Sequence, residues 1–137
     1  MAKELSSAAK AFLSEVHFAT LATINPNGTP QQTVMWYEFR DNMIVMNTAR
    51  GRVKAQNLER DRRISVCFED GYNFITISGT ARLDDDPQVT QSDIRRLAIR
   101  YHGAEAGARQ AEEVFSKQQR ISIYLPIEHV LTRGFEE

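Results

Sequence analysis

Tight-turn signals join the apolar runs of this chain so closely that the strands they connect must lie antiparallel. Asn25-Pro26-Asn27-Gly28 ends a run over 17–24, and Arg40-Asp41-Asn42 separates a long β-branched and aromatic run over 29–39 from another over 43–47. A parallel pair needs a crossover of about a dozen residues or more, and links of three or four residues leave no room for one. Asp70-Gly71 repeats the pattern, between 63–69 and a stretch where Ile75, Ile77, Ala81 and Leu83 alternate with Thr76, Ser78, Thr80 and Arg82. That period of two marks a sheet with one buried face, and Ile121, Ile123, Leu125 and Ile127 repeat it in a last strand.

Helical spacing interrupts the strands. Ala9, Phe12, Leu13 and Val16 follow a Ser6/Ser7 cap, and Ile94, Leu97, Ala98 and Tyr101 form a stripe behind Asp84-Asp85-Asp86-Pro87. Three aspartates before a helix suit its positive end and read as a solvated cap. A short helix is expected over 48–60 with Asn47/Thr48 as its cap, and a weaker one near 108–115. The expectation is one domain over 1–137, mainly β with α (α+β), built on a six-stranded antiparallel barrel with peripheral helices.

Charge and cysteine content narrow the functional classes. The 17 Lys and Arg nearly balance the 18 Asp and Glu, so the chain has no global field for nucleic acid, and any anion site must be local. Cys67 is the only cysteine, which excludes an intramolecular disulfide and a thiolate metal cage. It lies in an apolar run and reads as a core thiol. His17, His102 and His129 show no metal-ligand spacing, and glycines occur singly, without a phosphate loop or dinucleotide fingerprint. No apolar leader or membrane-length segment stands in the sequence, so a cytoplasmic location is expected.

Chemistry concentrates in two stretches. Arg50, Arg52, Lys54, Arg60, Arg62 and Arg63 place six of the 17 basic residues within fourteen positions. Cations at the start of a helix oppose its dipole, whereas an anion there would meet free N–H groups, guanidinium and ammonium together. The cluster reads either as a phosphate grip or as a solvated face paired with Glu59 and Asp61. In Gln31-Gln32-Thr33-Val34-Met35-Trp36-Tyr37, amides lead into aromatic surface, a mixture suited to a heteroaromatic ring and equally to an ordinary strand. Tyr72-Asn73-Phe74 carries a similar mixture. Without a nucleophile elbow, any enzyme built on this chain leaves its chemistry to a bound cofactor.

Ala19-Thr20-Leu21-Ala22-Thr23-Ile24, Asn27-Gly28-Thr29-Pro30-Gln31, Arg52-Val53-Lys54-Ala55-Gln56-Asn57-Leu58, Gly79-Thr80-Ala81 and Leu125-Pro126-Ile127-Glu128-His129-Val130 follow one another along the chain. In this order they resemble the pyridoxamine 5'-phosphate oxidase-like split β-barrel superfamily, and within it the flavin/deazaflavin oxidoreductases that use coenzyme F-420. The resemblance implies a split barrel of the FMN-binding type, acting as a homodimer with cofactor sites between the subunits. It implies that Arg52, Lys54 and Asn57 hold the cofactor phosphate. Gln31, Gln32, Thr33 and Val34 would line the ring, with Asn47 and Thr48 at the end of the third strand, and Tyr72 and Asn73 would approach from the partner chain. Trp36 and Tyr37 are candidates for the substrate side. The long basic C-terminal segment of the pyridoxamine phosphate oxidases has no counterpart here, so vitamin B6 is not the expected substrate.

Three functions follow. The first is an oxidoreductase in which reduced deazaflavin gives hydride to a conjugated organic substrate. The second is an FMN-dependent enzyme or FMN-binding protein of the same fold, and the third is a cofactor carrier without turnover.

Overall fold

A computed structural model describes residues 2–136 of the chain. Ser6 caps α1 (Ser7–Ser14), its hydroxyl accepting from the Ala9 amide at 3.0 Å. β1 (Ala19–Ile24) and β2 (Pro30–Met35) form the expected hairpin. Its turn closes with Asn25 N–H donating to Thr29 O at 2.8 Å and Asn27 Oδ1 accepting from Thr29 N at 3.1 Å. β3 (Glu38–Arg40) and β4 (Met43–Ala49) join through Asp41 and Asn42, at φ 52° and 54°, the left-handed pair that a two-residue hairpin requires. Then come α2 (Val53–Arg60), β5 (Arg63–Asp70), β6 (Asn73–Thr80) and β7 (Arg82–Asp84). α3 (Pro87–His102), α4 (Ala104–Glu113), a 3-10 turn (Phe115–Lys117), β8 (Arg120–Pro126) and β9 (His129–Arg133) complete the chain.

The strands divide into a five-stranded sheet, β2-β1-β5-β6-β9, and a four-stranded sheet, β3-β4-β8-β7, with every pairing antiparallel. Leu21, Val66 and Ile77 from the first and Ile44, Met46 and Ile123 from the second fill one core. The two hydrogen-bonded ladders stay separate, so the barrel is split.

Two of the sequence runs break where the chain changes sheets, which turns the six expected strands into eight, and β9 makes nine. The run over 29–39 leaves β2 after Met35 and re-enters the other sheet at Glu38. Its backbone polar groups at the crossing are satisfied by α3: Tyr37 N–H donates to the Tyr101 hydroxyl at 2.9 Å, and Tyr37 O accepts from Arg100 Nε at 3.0 Å. The run over 75–83 breaks at Ala81, whose amide donates to Arg62 O at 2.7 Å. β9 lies beyond the expected last strand and pairs with β6.

The helix expected from residue 48 starts later, at Val53. Asn47 and Thr48 belong to β4, and Gly51, at φ 96°, turns the chain into a helix whose N-cap is Arg52. Asp86 caps α3 by accepting from Gln88 N at 3.0 Å, with Pro87 in the first turn, so the acidic run is the cap it resembled. α4 begins earlier than expected, after Gly103. It lies so close to α3 that a Cβ on Gly107 would stand 2.5 Å from the Ile99 backbone. No helix among the described residues is long and apolar enough to cross a membrane.

Candidate binding cleft

The basic cluster of the sequence separates into two populations. Arg50 faces Glu59 at 3.7 Å and Asp85 at 3.4 Å, while Arg63 holds Asp61 at 2.7 Å. Arg60 donates to the Ile24 carbonyl and to Asn57 Oδ1. Arg62 lines a different cavity beside Glu59 and Asp85. The paired-face reading describes Arg50 and Arg63, while Arg60 is held by neutral oxygens and Arg62 belongs to another cavity. Arg52 and Lys54 differ from all four in their place: they share one cleft, and neither has an acidic partner among the described residues.

Both line a cleft of about 260 Å³ together with Val34, Met35, Trp36, Asn47, Ile94, Leu97, Gln110, Phe115 and Arg120. The end of β2 supplies one wall. Trp36 stacks on Tyr101 with centroids 5.2 Å apart and planes 12° apart, and meets Phe115 edge-on at 6.2 Å. Ile94 and Leu97 of α3 are buried and form apolar floor. The opposite wall is cationic, with Arg52 and Lys54 at the start of α2 and Arg120 at the head of β8.

Arg120 carries no motif. It is 6% exposed, its Nε donates to Asn47 Oδ1 at 2.6 Å, Nη1 donates to Gln118 Oε1, and its guanidinium lies 4.7 Å over the Phe115 ring. All of these contacts are neutral. Burial and then the nearby Arg52 charge push its pKa down to about 10. Lys54 titrates below its ordinary value for the same reasons, burial first, then Arg52 and Arg120. Three cations thus converge without a carboxylate among them, an arrangement unfavourable until an anion arrives.

A hydrogen-bonded chain lies behind Arg120. Asn47 Nδ2 donates to Thr90 O at 3.0 Å and to Ser122 Oγ at 3.2 Å. Ser122 Oγ donates to Asp93 Oδ2 at 2.7 Å, which also accepts from the Tyr124 hydroxyl at 2.5 Å, while Oδ1 accepts from Arg40 at 2.5 Å. Burial raises the Asp93 pKa, but the bonds from Tyr124, Arg40 and Ser122 together outweigh it and hold the carboxyl below its usual range.

Of the residues singled out in the sequence, Val34, Trp36, Asn47, Arg52 and Lys54 meet in the cleft. Gln31 and Thr33 sit on the other face of β2 from Gln32 and Val34, and neither these two nor Gln32 lines the cleft. Thr48 is fully buried on the core side of β4, alternate to Asn47. Tyr37 is fully buried, its hydroxyl donating to Leu13 O at 3.0 Å. Asn57 is 2% exposed, and its Nδ2 donates to Thr23 Oγ1 at 3.1 Å and Asn25 Oδ1 at 3.0 Å. The amide therefore ties α2 to the β1–β2 hairpin. Tyr72, 91% exposed, and Asn73 stand at the β5–β6 turn, away from the cleft of their own chain. Arg120, Gln110 and Phe115 complete the lining. The one sequence signal for Arg120 was the polar face Arg120, Ser122, Tyr124 alternating with Ile121, Ile123 and Leu125.

Comparison with known proteins matches residues 5–130 to the pyridoxamine 5'-phosphate oxidase family model. An F420H2-dependent biliverdin reductase of Mycobacterium tuberculosis is 28% identical over 129 residues, covering 93% of this chain and 87% of the relative. The crystal structure of a conserved hypothetical protein of M. tuberculosis superposes with a TM-score of 0.79 at 27% identity, over 94% of this chain and 84% of that one. A structure named F420 reductase superposes at 0.71 with 20% identity, over 89% and 94% of the two chains.

Proposed function

Because the chain belongs to the pyridoxamine 5'-phosphate oxidase family, we propose that it is an oxidoreductase holding phosphorylated deazaflavin, coenzyme F-420, between two subunits and passing hydride to a conjugated organic substrate. The observation that carries this reading is the set of Arg52, Lys54 and Arg120, cations on one wall with no acidic partner among the described residues. A phosphate group, diester in coenzyme F-420 and monoester in FMN, offers these cations charge-assisted hydrogen bonds. The choice of deazaflavin follows the two relatives named for F420 chemistry.

The lining fits such a group in kind. Phosphate suits the cationic wall, and Trp36 with Met35, Ile94 and Leu97 offers flat and apolar surface to a ring. In size the cleft falls short: at about 260 Å³ it lies under the roughly 300–1,000 Å³ usual for a ligand of this kind, so a second subunit supplies the remaining wall. The outer face of the five-stranded sheet suits that subunit. Thr20, Ala22, Ser65, Thr76 and Ser78 give it small, half-buried side chains, as does Cys67, which stands on this face and not in the core expected from its apolar run, with Val34 68% and Leu131 50% exposed at the edges. In such a homodimer, Tyr72 and Asn73 are available to the neighbouring site.

When bound, the reduced deazaflavin supplies the hydride. The chain binds and orients. Arg52, Lys54 and Arg120 fix the phosphate end, and the Trp36–Tyr101 stack with Phe115 excludes water along one side. Among the described residues no Asp, Glu, His, Tyr or Cys lines this chain's part of the cleft, which leaves the proton that accompanies hydride to solvent or to a group outside that lining.

Titration of the purified protein with coenzyme F-420 and with FMN, followed by oxidation of the reduced form against a panel of conjugated acceptors including linear tetrapyrroles, tests this reading. Tight FMN binding without deazaflavin binding overturns the cofactor. Deazaflavin binding without turnover across the panel leaves a carrier.

A further inference from the structure

A buried arginine without a carboxylate needs something else to hold it in one orientation, and the chain of bonds behind Arg120 has a single consistent polarity. The Ser122 hydroxyl has one proton, and Asp93 Oδ2 takes it at 2.7 Å. Ser122 Oγ is therefore an acceptor toward Asn47, which must present Nδ2–H to it at 3.2 Å and to Thr90 O at 3.0 Å. With the amide turned that way, Asn47 Oδ1 can only face Arg120, where it accepts from Nε at 2.6 Å. The Asp93 charge does not reach the cleft, because Arg40 meets the other carboxylate oxygen at 2.5 Å. Every donor and acceptor in the series is thus assigned from the Asp93 end, and the Arg120 charge is left for a ligand.

We propose that Asp93 is a positioning residue for the cleft: through Ser122 and Asn47 it fixes the amide orientation that holds the Arg120 guanidinium against Phe115 and directed at a ligand phosphate. This rests on reading the cleft as an anion site. Asn47 is then the support of the phosphate-binding arginine, and its own contact with the ligand is secondary. Loss of the Ser122 hydroxyl leaves Thr90 O as the single acceptor holding the Asn47 amide. The amide keeps its polarity but loses one of its two anchors, and the guanidinium it supports is held less firmly in one direction.

The test compares FMN against riboflavin, a pair that differs only in the phosphate, with coenzyme F-420 against its deazaflavin core, which lacks the phosphate and the tail beyond it, as a second pair. Ser122→Ala removes the link while leaving the bonds of Asp93 to Arg40 and Tyr124 in place, and it stands in for Asp93→Asn should that variant fail to fold. In both variants the preference for the phosphorylated member is expected to fall about tenfold, the worth of one charge-assisted hydrogen bond, with affinity for the phosphate-free member within about twofold of wild type. Tyr124→Phe removes another donor to Asp93 without touching the path to Asn47, and its preference should stay within about twofold of wild type. The Arg120 Nε–H resonance, slow to exchange in the wild type, should exchange rapidly in Ser122→Ala and slowly in Tyr124→Phe.

Equal losses for both ligands of a pair would show a general packing role and overturn the proposal. So would an unchanged preference, or a Tyr124→Phe loss equal to that of Ser122→Ala. If the wild type binds neither pair, the functional reading fails by itself. Inorganic pyrophosphate titrated into the same variants then decides the positioning role: a tenfold loss confined to Ser122→Ala and Asp93→Asn supports it, and equal binding by all overturns it.

Discussion

Asn57 donates to Thr23 Oγ1 at 3.1 Å, and both side chains are almost fully shielded from water. The contact joins the helix that bears Lys54 to the strand hairpin that ends at Met35, one residue before Trp36. Asn57→Ala leaves Thr23 and Asn25 short of a donor and is expected to cost about 1–3 kcal/mol of stability. Thermal unfolding of the ligand-free protein measures this. Ligand affinity, normalised to folded protein, should change little, which separates Asn57 from the cations beside it.

Arg52→Ala and Lys54→Ala are expected to do the reverse. Each removes a charge-assisted contact of roughly 1.5–3 kcal/mol, so affinity for a phosphorylated cofactor falls about ten- to a hundredfold. Unfolding of the ligand-free protein should shift by no more than about 0.5 kcal/mol. Arg62→Ala and Arg63→Ala lie outside the cleft, Arg63 being paired with Asp61, and serve as controls. Calorimetric titration of all four variants checks the division.

Phosphate itself should stabilise the protein. Three cations without an acid repel one another in the free cleft, and an anion that binds only the folded form raises its stability by mass action. The melting temperature is expected to be higher in phosphate than in chloride at equal ionic strength, and the difference should shrink in Lys54→Ala.

Alkaline titration carries a sign. Burial and its cationic neighbours hold Lys54 below its ordinary 10.5, so between the lowered value and 10.5 the unfolded chain binds more protons at this site than the folded one. Its contribution to ligand-free stability therefore rises with pH through that window. Affinity for a phosphorylated ligand moves the other way, falling as Lys54 loses its proton. Lys54→Arg should make the fall shallower, the remainder following Arg120, whose pKa burial and Arg52 bring down to about 10, and a binding series across alkaline pH would read the difference.

Gly107→Ala forces a methyl group to within 2.5 Å of the Ile99 backbone. Separating α4 from α3 should cost about 1–3 kcal/mol. It should also displace Gln110 and Phe115 from the cleft, so the loss of ligand affinity exceeds the loss explained by unfolding. Melting curves with and without ligand distinguish the two contributions.

The antiparallel architecture was legible because turn chemistry acts locally: Asn27-Gly28 and Asp41-Asn42 select hairpins whatever surrounds them. Strand breaks at Trp36–Tyr37 and Ala81 were not, since β-branched and aromatic residues continue through both, and only the contacts with Tyr101, Arg100 and Arg62 reveal a change of sheet. Asn47 and Thr48 resembled a helix cap by residue type, yet Gly51 delays the helix and leaves them in β4. Arg52 and Lys54 stood out because cations at a helix start contradict local electrostatics. Arg120 contradicts nothing local, and its meaning comes from residues 47 and 115, brought to it by the fold.

The crossing at Tyr37 has a consequence for how such a chain can vary over time. Its backbone is sealed by Tyr101 and Arg100, and the same helix sends Ile94 and Leu97 into the cleft. Remodelling the pocket by shifting α3 would unseal the junction between the sheets, so drift in ligand preference is channelled into side-chain exchange at 94 and 97. Positions 37, 100 and 101 should then covary or stay fixed across descendants, while 94 and 97 diversify with the compounds each lineage uses.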